Sequence, residues 1–222
     1  MKEQMPCGFP GMGIPPLAPF KMSHQNIDRS IGGNSFDGEV NDFELSGLND
    51  FDIIQMNVNL VLRRAIFNFN FNDISMKTNY NMAAELALFG GLKKNMGEKA
   101  TFQLKNLNVW GRLKYSLGLL GGGIKITEFS VYVSLGEVNS NIEGFSKYKI
   151  INRKFNDSIE EWLMLAINDN TNNIADLTNK HIMPVMNDLI GGRSIGDLLG
   201  LLGGGGEGGS GGEKVPCVPE EL

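Results

Sequence analysis

The stretch FNDSIEEWLMLAINDNTNNIADLTNKHIMPVMNDLI, Phe155 to Ile190, decides the fold. Apolar residues return at Ile159, Trp162, Leu163, Ala166, Ile167, Ile174, Leu177, Ile182, Val185, Met186, Leu189 and Ile190. Steps of three and four place them on one face of an α-helix. Asp157 or Ser158 suits the N-cap, and Glu160 and Glu161 fall in the first turn, where the positive helix end favours acids. Gly191 and Gly192 stop the run. Such a helix is ~50 Å long, well beyond three or four turns, and needs an apolar partner of similar length. Asn168, Asn170, Asn172 and Asn173 make its middle polar, and Pro184, without an N–H, bends its last turns.

The preceding hundred residues supply that partner, because they alternate with a period of two. Ile54, Met56, Val58, Leu60 and Leu62 oppose Gln55, Asn57 and Asn59; Phe67, Phe69 and Phe71 oppose Asn68, Asn70 and Asn72. Tyr80, Met82, Ala84, Leu86 and Leu88 continue the pattern until Gly90 and Gly91 turn the chain. These read as half-buried antiparallel strands, dry on one face and wet on the other. The phase then switches: Phe102 and Leu104 are even, Leu107, Val109, Leu113 and Tyr115 odd. One extra residue near Lys105–Asn106 predicts a bulge there, and a second switch lies between Ile126 and Phe129. Bulges bend strands, so the sheet is expected to curl around the helix. The fold class is α+β: a strongly curved antiparallel sheet wrapped around one long C-terminal helix. Residues 1–19, with Pro6, Pro10, Pro15, Pro16 and Pro19, are an extended lead-in. Residues 20–190 form a single domain whose helix spans 155–190, and 191–222 are a short apolar segment and a glycine-rich tail.

Composition narrows the function. The chain has 222 residues, 41% hydrophobic and 20% charged, with formal net charge −5 and no basic cluster. That argues against nucleic acid or an anionic membrane as the main partner, and no run reaches the length of a membrane span. Met1 to Gln4 lack the apolar core of a signal peptide, but a mature secreted chain with an added methionine would look the same. Catalytic templates fail in turn: there is no G-x-S-x-G elbow, no phosphate-binding glycine loop and no His-Glu-x-x-His. His24 and His181 with the distant thiols of Cys7 and Cys217 make a poor metal site, and no cofactor is implied. The expectation is a protein that is not an enzyme. Spacing leaves open whether the two cysteines are bonded or free.

A curved sheet around a long helix encloses volume. Eleven methionines supply adaptable apolar side chains, and Ala83, Ala84, Ala87 and Ala166 leave gaps that a ligand can fill. The candidate ligand-facing residues are Phe69, Tyr80, Met82, Leu86, Leu88, Val109, Val131, Trp162, Leu163 and Ala166, all on the apolar phase of their strands or on the helix stripe. The plain alternative is that they are packed core.

Three pieces in order resemble the insect haemolymph juvenile hormone binding protein and takeout family. They are Gly8-Phe-Pro-Gly-Met-Gly-Ile-Pro-Pro-Leu-Ala-Pro-Phe20, the strand series Phe67 to Leu88 with Tyr80, and Phe155 to Met186 with Ile167-Asn168 and Pro184. The resemblance implies a secreted, extracellular carrier with an elongated apolar tunnel for a juvenile hormone-like terpenoid or fatty-acid-like lipid. It is similar to a wider tubular lipid-binding superfamily with mite allergens, so an interaction protein with a side-chain-filled interior is the alternative. The sequence departs from the family pattern in an N-terminal helix that is missing or severely shortened, in Ala18 where an acid is usual, and in its glycine-rich tail. Secretion favours a Cys7–Cys217 disulfide, and Asn156-Asp157-Ser158 is a glycosylation triplet, weak support for the same compartment.

Overall fold

The computed structural model describes residues 2–8, 13–118, 123–190, 192–194 and 217. Six strands, β1 (Phe20–Ile31), β2 (Asn34–Ser46), β3 (Phe51–Asn59), β4 (Arg64–Leu86), β5 (Leu92–Leu117) and β6 (Ile124–Ile142), form one antiparallel sheet. Its order is β1-β2-β4-β5-β6, with β3 paired to β4. The sheet is curled and not closed, and the C-terminal helical region lies along β6, as α+β architecture requires.

Strand β4 is long enough to have two partners on one side. Ser75 to Glu85 pair with β2, and Arg64 to Phe71 pair with β3. The sheet therefore has two halves that share β4, β5 and β6. Their boundary is the rung Asn72, Asn106, Gly136. On one side Phe71, Leu107 and Leu135 face inward; on the other Ile74, Leu104 and Val138 do. Two successive residues point outward in each strand, and Asn106 takes a left-handed φ of 53°. The register stays intact across this rung, Phe71↔Leu107 and Asp73↔Lys105, then Leu107↔Leu135 and Lys105↔Glu137. The phase switch expected near Lys105–Asn106 is thus real, but it is not a bulge. All three strands switch together, so no residue is left over. Gly136 accommodates this, since a Cβ there would meet the Asn106 Cβ at 3.0 Å. The second switch is a bulge: Lys114 pairs with Glu128 and Tyr115 with Ile126, leaving Thr127 extra.

The helical region differs from one uninterrupted rod. Helix α1 (Lys149–Asn168) begins before Asp157 and Ser158, with Tyr148 at its N-cap position. Then come a break at Asp169–Asn170, helix α2 (Thr171–Leu177), a π turn (Thr178–Ile182) and helix α3 (Met183–Ile190). The π turn ends two residues before Pro184, whose missing N–H removes an ordinary helical bond. In the lead-in, Lys2–Cys7 forms a 3-10 turn that includes Pro6, where an extended chain was expected.

Strand β3 also departs from its pattern. It was expected to be half-buried, yet after Phe51 nearly its whole length is exposed, with Ile53 59% and Met56 56% accessible. Alternation shows which residues share a face; it does not show that anything covers that face. The tightest core lies in the other half, where Tyr80, Ala84, Leu86, Met96, Ala100, Ile142, Phe145 and Phe155 pack together.

Candidate functional site

The asparagines of the helical region explain how the site is framed. β6 is the last strand of the sheet, and its outer backbone groups need partners. A carboxamide carries an acceptor and a donor side by side, much as a peptide does. Asn156 Oδ1 accepts the Ile142 N–H at 2.7 Å, and Asn156 Nδ2 donates to the Ile142 carbonyl at 3.3 Å. Asn168 does the same for Leu135, at 2.8 and 3.0 Å, and Asn187 for Ile126, at 2.7 and 3.0 Å. Between them Glu160 accepts the Ser140 N–H, Thr178 the Val131 N–H and Asn179 the Phe129 N–H. The helical region thus stands in for a seventh strand. Asn168, read from sequence as a polar interruption, is one of these rungs.

Two consequences bear on function. Asn156 is 6% exposed with its carboxamide engaged on both sides, so the glycosylation triplet is not available in the folded protein. A cleft of about 890 Å³ beside α1, lined by Glu98, Ser140, Glu143, Asn156 and Glu160 among others, is polar, and several of its groups are committed to pairing with β6. It is not the apolar site foreseen.

The apolar candidates fall into two groups. Tyr80 and Leu86 are buried in the tight core with Met82 packed against it, while Leu88 is 43% exposed beyond it. The Tyr80 hydroxyl donates to the Glu143 carbonyl and ties β4 to the segment after β6. Burial first, then the Glu98 and Glu143 carboxylates, pushes the Tyr80 phenol up to about 12. In the other half Phe69 shares a rung with Val109, and Val131 lies opposite Gly111. On the helix Trp162, Leu163 and Ala166 are half-buried, and Trp162 sits beside Gly32 in the β1–β2 turn, the far side of the curl. The strand and helix residues are therefore not one contiguous wall.

Several residues at the second group were not among the ten ligand-facing candidates. Phe67 stacks on Phe69 at 5.5 Å and reaches across Gly111 to Phe129 at 6.3 Å; Phe51 packs on Phe69 and Phe71 at 5.3 Å each. Gly111 leaves the space: a Cβ there would lie 2.9 Å from the Phe67 ring. Farther along β5, on the same phase, Tyr115 is 8% exposed, and its hydroxyl has no hydrogen-bond partner among the described residues. An unpaired buried hydroxyl costs about 1–3 kcal/mol unless something pairs with it. The odd phase of Tyr115 was legible; its missing partner was not. No cluster of His, Cys, Asp or Glu able to hold a metal occurs among the described residues. Cys7 and Cys217 are bonded, with Cα atoms 6.0 Å apart, and Lys2 lies over the Phe51 ring at 4.6 Å.

The family model for haemolymph juvenile hormone binding protein (JHBP) matches residues 1–200. Takeout 1 of Epiphyas postvittana has a similar fold, with a TM-score of 0.52 at 15% identity, over 86% of this chain and 82% of its own. Lipopolysaccharide binding protein is less similar: TM-score 0.35 at 12% identity, over 73% of this chain and 35% of its own, too weak to carry an argument. No curated protein sequence matches the chain.

Proposed function

The chain belongs to the haemolymph juvenile hormone binding protein family, and from that premise we propose that it is a secreted carrier of a small apolar ligand with a polar group at one end. The ligand is a juvenile hormone-like terpenoid or fatty-acid-like lipid, held along the inner face of the sheet in an elongated tunnel. One observation carries the reading: a row of half-buried aromatics, Phe67, Phe69 and Phe129, on the strand phase that leads to the unpartnered Tyr115 hydroxyl. The rings supply apolar contact, and the phenol supplies the single directional hydrogen bond that orients the ligand. Of the earlier candidates, Phe69, Val109 and Val131 contribute to this wall, while Trp162, Leu163 and Ala166 lie on α1 toward the other half. Tyr80, Met82 and Leu86 close the far end. The function is binding, not catalysis. The Cys7–Cys217 bond suits an oxidising, extracellular compartment.

The stacked Phe145 and Phe155 rings, 4.0 Å apart, favour a second reading for the far end: an interior filled by side chains, as in an interaction protein of the same fold. Native mass spectrometry with organic extraction decides between them. A carrier should yield a co-purified apolar molecule, or take up a fluorescent fatty acid that unlabelled lipid displaces. A protein that does neither is not a carrier.

A further inference from the structure

We propose that the turn between β3 and β4 docks the protein on an anionic lipid bilayer. At its apex Leu60, Val61 and Leu62 are 61%, 90% and 57% exposed. Single exposed apolar residues are ordinary; three in succession at a projecting apex are not. The apex is held firmly. Asn59 Oδ1 accepts the Leu62 N–H at 2.7 Å, and the Arg63 carbonyl accepts the Tyr115 N–H at 3.0 Å, which ties the turn to β5. Arg63 adopts a left-handed φ of 50°, an unusual conformation for a long side chain, and so directs the chain back into β4.

Charge selects the partner. Arg63 and Arg64 follow the apex directly, and neither meets a carboxylate among the described residues. Arg64 stands opposite Lys114 in the ladder and Ile66 opposite Arg112. Glu128 is shared by Arg112 and Lys114. Net charge −5 argues against an anionic membrane for the chain as a whole, but the charge is uneven and this end is cationic. Glu128 offsets Arg112 and Lys114, which leaves Arg63 and Arg64 for an anion from outside. Anionic headgroups meet that need, while the apex residues enter the acyl boundary and the arginine stems lie at the interface. The adjoining β3 also exposes Ile54, Met56 and Val58, so a contact between copies is the competing occupant, and the arginines beside the apex favour the anionic surface over it. The proposal stands apart from the carrier reading: an empty protein should dock as well as a loaded one.

The test uses the full chain and vesicles of phosphatidylcholine with and without phosphatidylserine. Wild type should sediment with the anionic vesicles, should not with neutral ones, and should be released by salt. Val61→Asp and the pair Arg63→Glu with Arg64→Glu should each weaken sedimentation on the order of tenfold or more. Val61→Ser should give a smaller loss and guards against a folding defect, which thermal denaturation of each variant checks. Lys93→Glu, at the other end of β5 where Lys93 pairs with Glu85, should change nothing. Failure of wild type to bind anionic vesicles overturns the proposal. So does an equal loss in Lys93→Glu, which would mean diffuse attraction, or a dimer that Val61→Asp dissolves without any vesicle binding, which would make the turn a contact between copies.

Discussion

The two halves of the sheet share three strands and one alternating pattern, yet they are packed very differently. Above the rung Asn72, Asn106, Gly136, Leu86 is 1% exposed and Phe155 2%, and Phe145 stacks on Phe155. Below it, Ile126 is 1% exposed and Phe51 4%, but Phe67, Phe69 and Phe71 are half-buried and Met56 is 56% exposed. The difference lies in what closes over each half. The upper half has β1 and β2 as neighbours and the whole of α1 across it, with Trp162 reaching the β1–β2 turn. The lower half has β3 and the shorter α2, π turn and α3. The helix breaks at the same level: α1 ends at Asn168, which pairs with Leu135, next to Gly136. Both halves have buried residues, but the rings of the upper half are covered more completely than Phe67, Phe69 and Phe71 of the lower.

The bridge between Cys7 and Cys217 gives the largest test of this contrast. With a sequence separation of 210 between the cysteines, the chain-entropy model assigns it up to ~5 kcal/mol. Reduction should lower the urea midpoint and raise hydrogen exchange first around Phe51, where Lys2 lies, before the Phe155 region. Two thiols titrating in the unreduced protein would remove the bridge from the account. Next comes the core itself. Phe155→Ala should cost ~3–5 kcal/mol by chemical denaturation, and Phe69→Ala at most about half that while it weakens ligand uptake. Equal costs would dissolve the distinction between the halves.

Edge pairing is the third measure. Asn156→Ala should cost about 1–3 kcal/mol, because it strands the buried Ile142 N–H. Asn187→Ala, at the looser end, should cost less. Smaller still is Tyr115→Phe: stability unchanged or slightly raised, and ligand affinity down roughly tenfold if the phenol holds the polar group. The Tyr80 phenol closes the series. Its folded-state value is raised, so its contribution is fully present below about 10 and is lost as pH rises from there toward about 12. Alkaline titration of stability should show this loss in wild type and not in Tyr80→Phe.

Much of this was legible in the residues. The spacing of Ile159, Trp162 and Ala166 revealed the helix, and the switch between Leu104 and Leu107 located the dividing rung. The switch was misread as a bulge because a single strand carries no record of its neighbours, and here β4 and β6 change phase on the same rung. Asn168 looked like an interruption, and Asn156 and Asn187 gave no sign of a pairing role, because a helical wheel does not show that an unpaired strand runs beside it. β3 looked half-buried because alternation describes the strand and is silent about cover. Tyr115 could be placed on the inner face, whereas a missing partner is a property of three dimensions.

The carboxamides along β6 also decide in which direction this sheet can grow. A strand edge is a template for another chain, and proteins that leave one bare risk stacking edge to edge. Here one border is sealed by Asn156, Asn168 and Asn187. The opposite border, β1 above and β3 below, has one strand neighbour for each among the described residues. Any assembly by strand addition, whether orderly pairing or fibril formation, is therefore one-sided. It starts at β1 or at the apolar β3 and cannot start at β6 until the helix has left.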